Sequence, residues 1–319
     1  MARTPPLLTI LLYCFVAKIS CLTPDEEHAI ARKQQAEAAA AQEAAAQKAL
    51  TDSLTDALAM LRHGSARSKE HAAAGIANMA VETTISQPFH PVTFRNACVR
   101  AGVVGELVKV LEGGPEHATT QGQVNALAAL EAIATDDPST ELDNGHALAT
   151  CEAGAVPPTV QLLKSADEHL HVGAAGLAAV LAENPQCQTL LLRAGAIEPL
   201  ISLGTYGNDA AKLRSVAALD LLALNNPPAV AAISKAGGAQ LLKGLAKFGG
   251  SQLKEATSEL LKGVSQPETL KVAVDTAAHA RQAHQARLKH SKVWQSAAAP
   301  VRRAVAPGQE GMRGGEYEE

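Results

Sequence analysis

The sequence predicts an all-α solenoid, in which helical units of similar sequence stack side by side. A triplet of one charged residue followed by Ala-Gly recurs at residues 100–102, 152–154, 193–195 and 235–237. The glycines of these triplets are 52, 41 and 42 residues apart, and a period near forty suits two or three helices per unit. Apolar residues make up 47% of the 319 residues but aromatic residues only 3%. The interior is therefore expected to consist of Ala, Leu and Val in closely packed helices.

Each triplet is predicted to mark a break between two helices. Glycine adopts positive φ at little cost, so the chain can leave one helix at Gly195 and begin the next at a steep angle. Asn184-Pro185 and Asn226-Pro227 are predicted to separate units, because the residue before proline avoids helical dihedrals and proline suits the first helical position. A unit thus contains a short leading helix before the glycine and one or two helices after it.

About five such units are predicted over residues 51–265. The first is partial, because LTDALAMLRHGSARSKEHAAAGIANMAVE aligns with the later units when Leu61 is set on Leu163 but lacks the short leading helix. A partial first unit is typical of an N-terminal cap. Two insertions, at residues 82–94 and 135–147, are rich in Pro, Asp, Thr and Asn and are predicted to be loops.

The N-terminus carries a candidate targeting signal. Arg3 precedes an apolar run from Leu7 to Ala17, which suits the core of a signal peptide and is too short to span a bilayer. We expect residues 1–21 to be a signal peptide that directs the protein to the secretory pathway or to secretion. Import into a plastid or another organelle through the same route is an alternative, as is an uncleaved anchor.

Residues 22–50 are predicted to form an Ala-rich helix that is a solvated spacer. Thr23-Pro24-Asp25-Glu26 is typical of a helix start, and Ile30 and Leu50 are the only large apolar residues that follow. Beyond the leader, Cys98, Cys151 and Cys187 are an odd number of cysteines. We expect them to be buried thiols.

Two stretches, NPQCQTLLLRAGAIEPLISLG and KLRSVAALDLLALNNPPAVAAISKAGGAQLLKGL, resemble the three-helix unit of the armadillo-repeat family. The resemblance covers residues 51–265 and implies a right-handed α-solenoid of about five armadillo-like repeats. The HEAT-repeat family is a near alternative, but the Ala-Gly hinge favours armadillo. In the armadillo family the third helices line a concave groove, where Asn side chains clamp the backbone of an extended peptide and Trp side chains form pockets.

This chain departs from the family's groove pattern. The positions that match the family's Asn are Asn78, Ala132, Val180 (or Ala179), Leu221 and Gly263, and those that match its Trp are Ala74, Ala128 and Ala217. Asn78 is thus the one binding candidate that the resemblance supplies. The groove is expected to be smooth and partly apolar. It would accept an apolar helix, or it would be closed by one of the chain's own terminal helices.

The segment of residues 266–299 is predicted to be a basic C-terminal helix, followed by a disordered tail at 300–319. One interpretation is a helix that caps the last repeat. The other is a basic arm for an acidic partner or a membrane surface, with Arg287, Lys289 and Lys292 as its charges and Trp294 as an interfacial anchor.

No catalytic, cofactor-binding or metal-binding residue is predicted from motifs. GLAKFGGS has glycines at phosphate-loop spacing, but Gly250 stands where the lysine is required. His169 and His171 are interpreted as solvated histidines without metal-ligand spacing. The net charge of −4 argues against a nucleic-acid partner.

The sequence therefore predicts a non-catalytic protein-binding or scaffold protein that acts through the solenoid surface, with a protein or peptide partner. The alternative is a peripheral membrane adaptor that uses an uncleaved N-terminal anchor and the basic C-terminal arm.

Overall fold

The computed structural model describes residues 24–81, 91–113, 118–135, 145–251, 253–254, 256–257 and 260–261. The chain divides into two compact units, residues 1–52 and residues 53–319. Within the described ranges there are thirteen helices and no strand, which confirms the all-α prediction. The helices are α1 (Pro24–His63), α2 (Ala66–Val81), α3 (Pro91–Ala101), α4 (Val103–Glu112), α5 (Thr120–Ala134), α6 (His146–Glu152), α7 (Val156–Leu162), α8 (Glu168–Leu181), α9 (Pro185–Arg193), α10 (Ile197–Tyr206), α11 (Asp209–Ala223), α12 (Pro227–Lys235) and α13 (Gly238–Phe248).

The helices from α3 onward follow the predicted order of first, second and third helix. Three complete repeats are α3–α5, α6–α8 and α9–α11, and a further repeat begins with α12 and α13. The last turns of α1 and the whole of α2 make the partial first repeat. Third helices contact one another in sequence, from α2 to α5, α8 and α11, and the first helices α3, α6 and α9 do the same. One core therefore runs through residues 53–261.

The predicted hinges lie where the second helices begin. The four hinge glycines adopt the left-handed backbone conformation, with φ of 78° at Gly102, 90° at Gly154, 77° at Gly195 and 88° at Gly237. A Cβ atom added at any of them would meet no heavy atom within 4 Å. Glycine is therefore required at these positions by the backbone angle and not by a lack of space.

Side-chain caps begin five of the other helices. Thr119, Asp167 and Asn208 accept backbone N–H bonds at the starts of the third helices α5, α8 and α11. Asn184 and Asn226 do the same for the first helices α9 and α12, each followed by proline in the first turn. These residues satisfy N–H groups that a helix start leaves unpaired.

The third helices are the most buried layer because neighbours cover them on several sides. In α8, every residue from Ala174 to Leu181 is buried. Such a helix has no wide polar face, so its small residues let the adjacent third helices approach closely. This agrees with the expected interior of Ala, Leu and Val.

Polar side chains tie neighbouring repeats together. Asn125 donates from Nδ2 to the Glu70 carbonyl at 3.2 Å, which joins α5 to α2. Buried Gln188 donates from Nε2 to the carbonyls of Ala182 and Leu221, both at 2.9 Å, which joins the end of α8 to the end of α11. Buried amides that are paired in this way fix the register between repeats.

Helix α1 runs without a break from Pro24 to His63, and so it crosses residue 51, where the Ala-rich helix was expected to end and the repeats to begin. No glycine or proline interrupts residues 25–63, so nothing in the sequence ends the helix earlier. Residues 32–45 are exposed along this helix. None of the described helices is long and apolar enough to cross a membrane. Residues 1–21, Gly263, the basic segment 266–299 and the tail 300–319 lie outside the described residues.

The cysteine expectation is wrong for two of the three residues. Cys151 in α6 and Cys187 in α9 form a disulfide, with their Cα atoms 6.0 Å apart. The first helices of consecutive repeats are neighbours, and this brings together two residues that are 36 apart in sequence. Cys98 is a buried thiol as expected, and desolvation by burial raises its pKa to about 12.

Candidate functional site

The outward side of the third helices is the surface that the armadillo resemblance points to. We call it the third-helix face and define it by those of its residues that are only partly buried. They are Ala74, Gly75, Asn78 and Met79 of α2, Glu131 of α5, Val172 of α8, and Ala217 and Asp220 of α11. Most of these side chains are small or apolar, in agreement with the expected smooth groove.

Asn78 is the one Asn-position residue of this face that the structure leaves accessible. The residues at the matching positions are buried: Ala132 is 8% exposed, Val180 1%, Ala179 4% and Leu221 2%. Asn78 is half-buried, and its side-chain amide has no hydrogen-bond partner among the described residues. An amide both donates and accepts, so Asn78 is able to bond a peptide group of a ligand. Among the Trp-position residues, Ala74 and Ala217 are partly exposed and Ala128 is buried.

An ion pair closes the middle of the third-helix face. Arg214 of α11 donates from Nη1 to Glu131 Oε2 of α5 at 2.9 Å, although α8 lies between these two helices. The Arg214 side chain is only 2% exposed and that of Glu131 12%. Gly176 of α8 makes room for this contact, because a Cβ atom there would lie 1.6 Å from Arg214 Nη1.

This geometry determines what the face can hold. Arg214 and Glu131 both have long side chains, and Gly176 between them has none, so the two side chains meet across α8. The Arg214 guanidinium covers the α8 backbone at Gly176, and a ligand cannot reach it there. The open stretch lies on α2, around Asn78. No motif in the sequence predicts this pair, although a glycine inside an Ala-rich third helix is a signal for close approach.

A separate concavity lies between the partial first repeat and α4 of the next repeat, and has a volume of about 520 Å³. Its charged residues are centred on Glu106 of α4, which accepts from Arg62 Nε at 2.9 Å and from Lys109 Nζ at 3.1 Å. Desolvation alone would raise the pKa of Glu106, but the hydrogen bonds from Arg62 and Lys109 hold it below its ordinary value. The Glu106 carboxylate is thus ionised at neutral pH and already paired with the Arg62 and Lys109 side chains.

Within the described ranges, no three His, Cys, Asp or Glu side chains are grouped so that they could hold a metal ion. His169 is exposed, as expected for a solvated residue. His171 is half-buried instead, and its Nδ1 lies 3.3 Å from the Ser165 carbonyl. Candidate residues Arg287, Lys289, Lys292 and Trp294 lie outside the described part of the chain.

No protein-family model matches the sequence, and no curated protein matches it at a significant level. Solved structures do match. A designed armadillo repeat protein in complex with the peptide (KR)4 is 20% identical, with 79% of this chain and 99% of that chain covered and a TM-score of 0.58. An engineered protein from a structural genomics consortium is 24% identical, with 79% of this chain and 96% of that chain covered and a TM-score of 0.59.

A natural protein also matches. The armadillo repeats only protein from Plasmodium falciparum is 18% identical, with 61% of this chain and 79% of that chain covered and a TM-score of 0.50. Identities this low show the fold alone. The predicted fold is confirmed: the chain has the armadillo-repeat fold.

The ion pair over Gly176 generates a stability prediction. Gly176→Ala should lower the free energy of unfolding by about 3 kcal/mol, because the added methyl displaces a buried guanidinium from its carboxylate. The control is the same substitution in an Arg214→Met, Glu131→Gln background, where no buried charge is left to displace. Urea unfolding followed by circular dichroism should show a much smaller loss in that background. An equal loss in both would contradict the role of the ion pair.

Proposed function

We propose that this protein is a non-catalytic scaffold that holds a protein or peptide partner on its third-helix face. The observation that carries the proposal is the uncovered stripe on α2, where Asn78 offers an unpaired amide between small and apolar neighbours. One structural neighbour of the same fold was solved with a bound peptide, which supports a peptide-sized partner.

The chemistry of the stripe favours one class of partner. Ala74, Gly75 and Met79 present apolar surface, and Asn78 supplies the polar contact. The Glu131 carboxylate is already neutralised by Arg214, so the middle of the face offers little attraction to basic side chains. We therefore propose a segment with apolar side chains and an accessible backbone. A run of alternating Lys and Arg would not suit this face.

We also propose that the protein enters the secretory pathway. The N-terminal apolar segment supports this route, and so does the Cys151–Cys187 disulfide, because such bonds persist in oxidising compartments.

Protein isolated from its source cells without reductant tests this route. Mass spectrometry should find a mature N-terminus at Cys21 or Leu22, and a disulfide-linked pair of peptides that contain Cys151 and Cys187. The disulfide closes a loop of 36 residues, so reduction should lower the free energy of unfolding by about 2–4 kcal/mol. A chain that retains Met1 and carries free thiols at both cysteines would contradict the proposal.

Selection of peptides against the full-length chain tests the scaffold function. The peptides selected from a displayed random library should carry apolar residues. Asn78→Ala should raise their dissociation constants about five- to tenfold, as expected for the loss of hydrogen bonds worth about 1 kcal/mol. Ala74→Arg should abolish binding, because it fills the apolar stripe with a charged side chain.

The matched control is Ala231→Arg, at an exposed position of the first helix α12, which should leave the dissociation constant unchanged. Calorimetric titration would measure all three variants. Selected peptides that bind equally well to the Ala74→Arg variant would place the binding surface elsewhere.

A further inference from the structure

Two exposed aromatic side chains mark a second surface, separate from the third-helix face. The chain has only one Trp, three Tyr and four Phe, yet Tyr206 is 86% exposed and Phe248 80%. Each is the eleventh residue after its hinge glycine, Gly195 for Tyr206 and Gly237 for Phe248. They therefore occupy equivalent positions of consecutive repeats.

The fold brings the two aromatic residues to one edge. Tyr206 is the last residue of α10 and Phe248 the last of α13, and these two second helices contact each other. A glycine follows each ring, Gly207 and Gly249, where the helix ends. Because equivalent positions of stacked repeats face similar directions, both rings project from the same end of the second helices.

Lysines surround this edge on the side of Phe248. Residues 227–254 contain four lysines and no acidic residue. All four, Lys235, Lys243, Lys247 and Lys254, are exposed. The Lys247 ammonium lies 4.9 Å from the centre of the Phe248 ring, and Lys243 precedes Lys247 by one helical turn. Asp209 lies three residues from Tyr206 and Glu255 directly follows Lys254, so the lysines without an acidic neighbour in sequence are those around Phe248.

We propose that Tyr206, Phe248 and the lysines of the last repeat, which we call the aromatic–lysine edge, dock on an anionic membrane surface. Aromatic rings are favoured at the level of lipid headgroups, and lysines near an anionic leaflet add electrostatic attraction. Both rings are highly exposed, which suits contact with a planar surface. This role goes beyond the partner binding proposed above, because it uses different residues on a different side of the repeats.

Charge argues against the other possible occupants of the edge. The C-terminal segment of residues 267–303 has seven Lys and Arg against two acidic residues, so it would be repelled by the lysines. A second copy that paired the same edge would also place lysine against lysine. An anionic lipid surface attracts both the edge and the basic segment.

Sedimentation of the full-length chain with vesicles tests this proposal. The chain should bind vesicles of phosphatidylcholine with phosphatidylserine, should not bind phosphatidylcholine alone, and should lose binding as salt is raised. Lys243→Glu with Lys247→Glu should lower the partition coefficient by more than about tenfold, since each lysine near the surface contributes about a factor of five. Tyr206→Ser with Phe248→Ser should also lower the partition coefficient, and at high salt it should remove the binding that the unmodified chain retains. The matched charge control is Lys48→Glu with Lys69→Glu, in α1 and α2, which should bind nearly as the unmodified chain does.

Other outcomes would overturn the proposal. In one such outcome, both edge variants still bind the vesicles, but neutralising Arg287, Lys289 and Lys292 abolishes binding. The basic segment alone would then be the membrane contact. Another is an absence of vesicle binding together with binding to poly-glutamate that depends on the edge, which would assign the surface to an acidic protein. Loss of peptide binding in the Ala74→Arg variant, with vesicle binding intact, would separate the two proposals.

Discussion

Left-handed glycine at the start of each second helix is the constraint on which the repeats depend. At Gly102, Gly154, Gly195 and Gly237 the φ angle is between 77° and 90°, a region that side chains with a Cβ atom avoid. Because the chain turns there, the second helix begins in a new direction and packs against the third helix of its repeat. Each third helix can then contact the third helices of both neighbours, and the four of them become the most buried layer of residues 53–261.

Burial of that layer explains the character of the face it presents. Third helices that approach closely need small side chains, so Ala and Gly occupy positions that would otherwise carry large binding groups. The same closeness brings Arg214 to Glu131 across Gly176 and closes the face at the third repeat. What remains partly exposed is α2, and this is where the side-chain amide of Asn78 lies. Close packing in the middle and exposure at one end thus result from the same arrangement.

The local features of the fold could be predicted from sequence, since hinge glycines, Asn-Pro caps and apolar spacing act over a few residues. The contacts across repeats could not. The Glu131–Arg214 pair spans 83 residues and depends on α5 and α11 lying on either side of Gly176 in α8, which no local pattern encodes. The Cys151–Cys187 bond was missed for a similar reason, because an odd number of cysteines gives no pairing until the first helices are known to be neighbours. Asn78 was identified by resemblance, but its accessibility, and the burial of Leu221 at the matching position, became apparent only from the packing.

A matched pair of glycine substitutions in the full-length chain tests the hinge constraint most directly. Gly195 and Gly244 both have open space around the position of an added Cβ, but only Gly195 has positive φ. Urea unfolding should show that Gly195→Ala lowers the free energy of unfolding by about 1–2 kcal/mol, since alanine is strained in the left-handed region. Gly244→Ala, inside α13, should raise it by up to about 1 kcal/mol through helix propensity. If both substitutions stabilise the protein equally, the hinge glycines do not determine how the repeats turn.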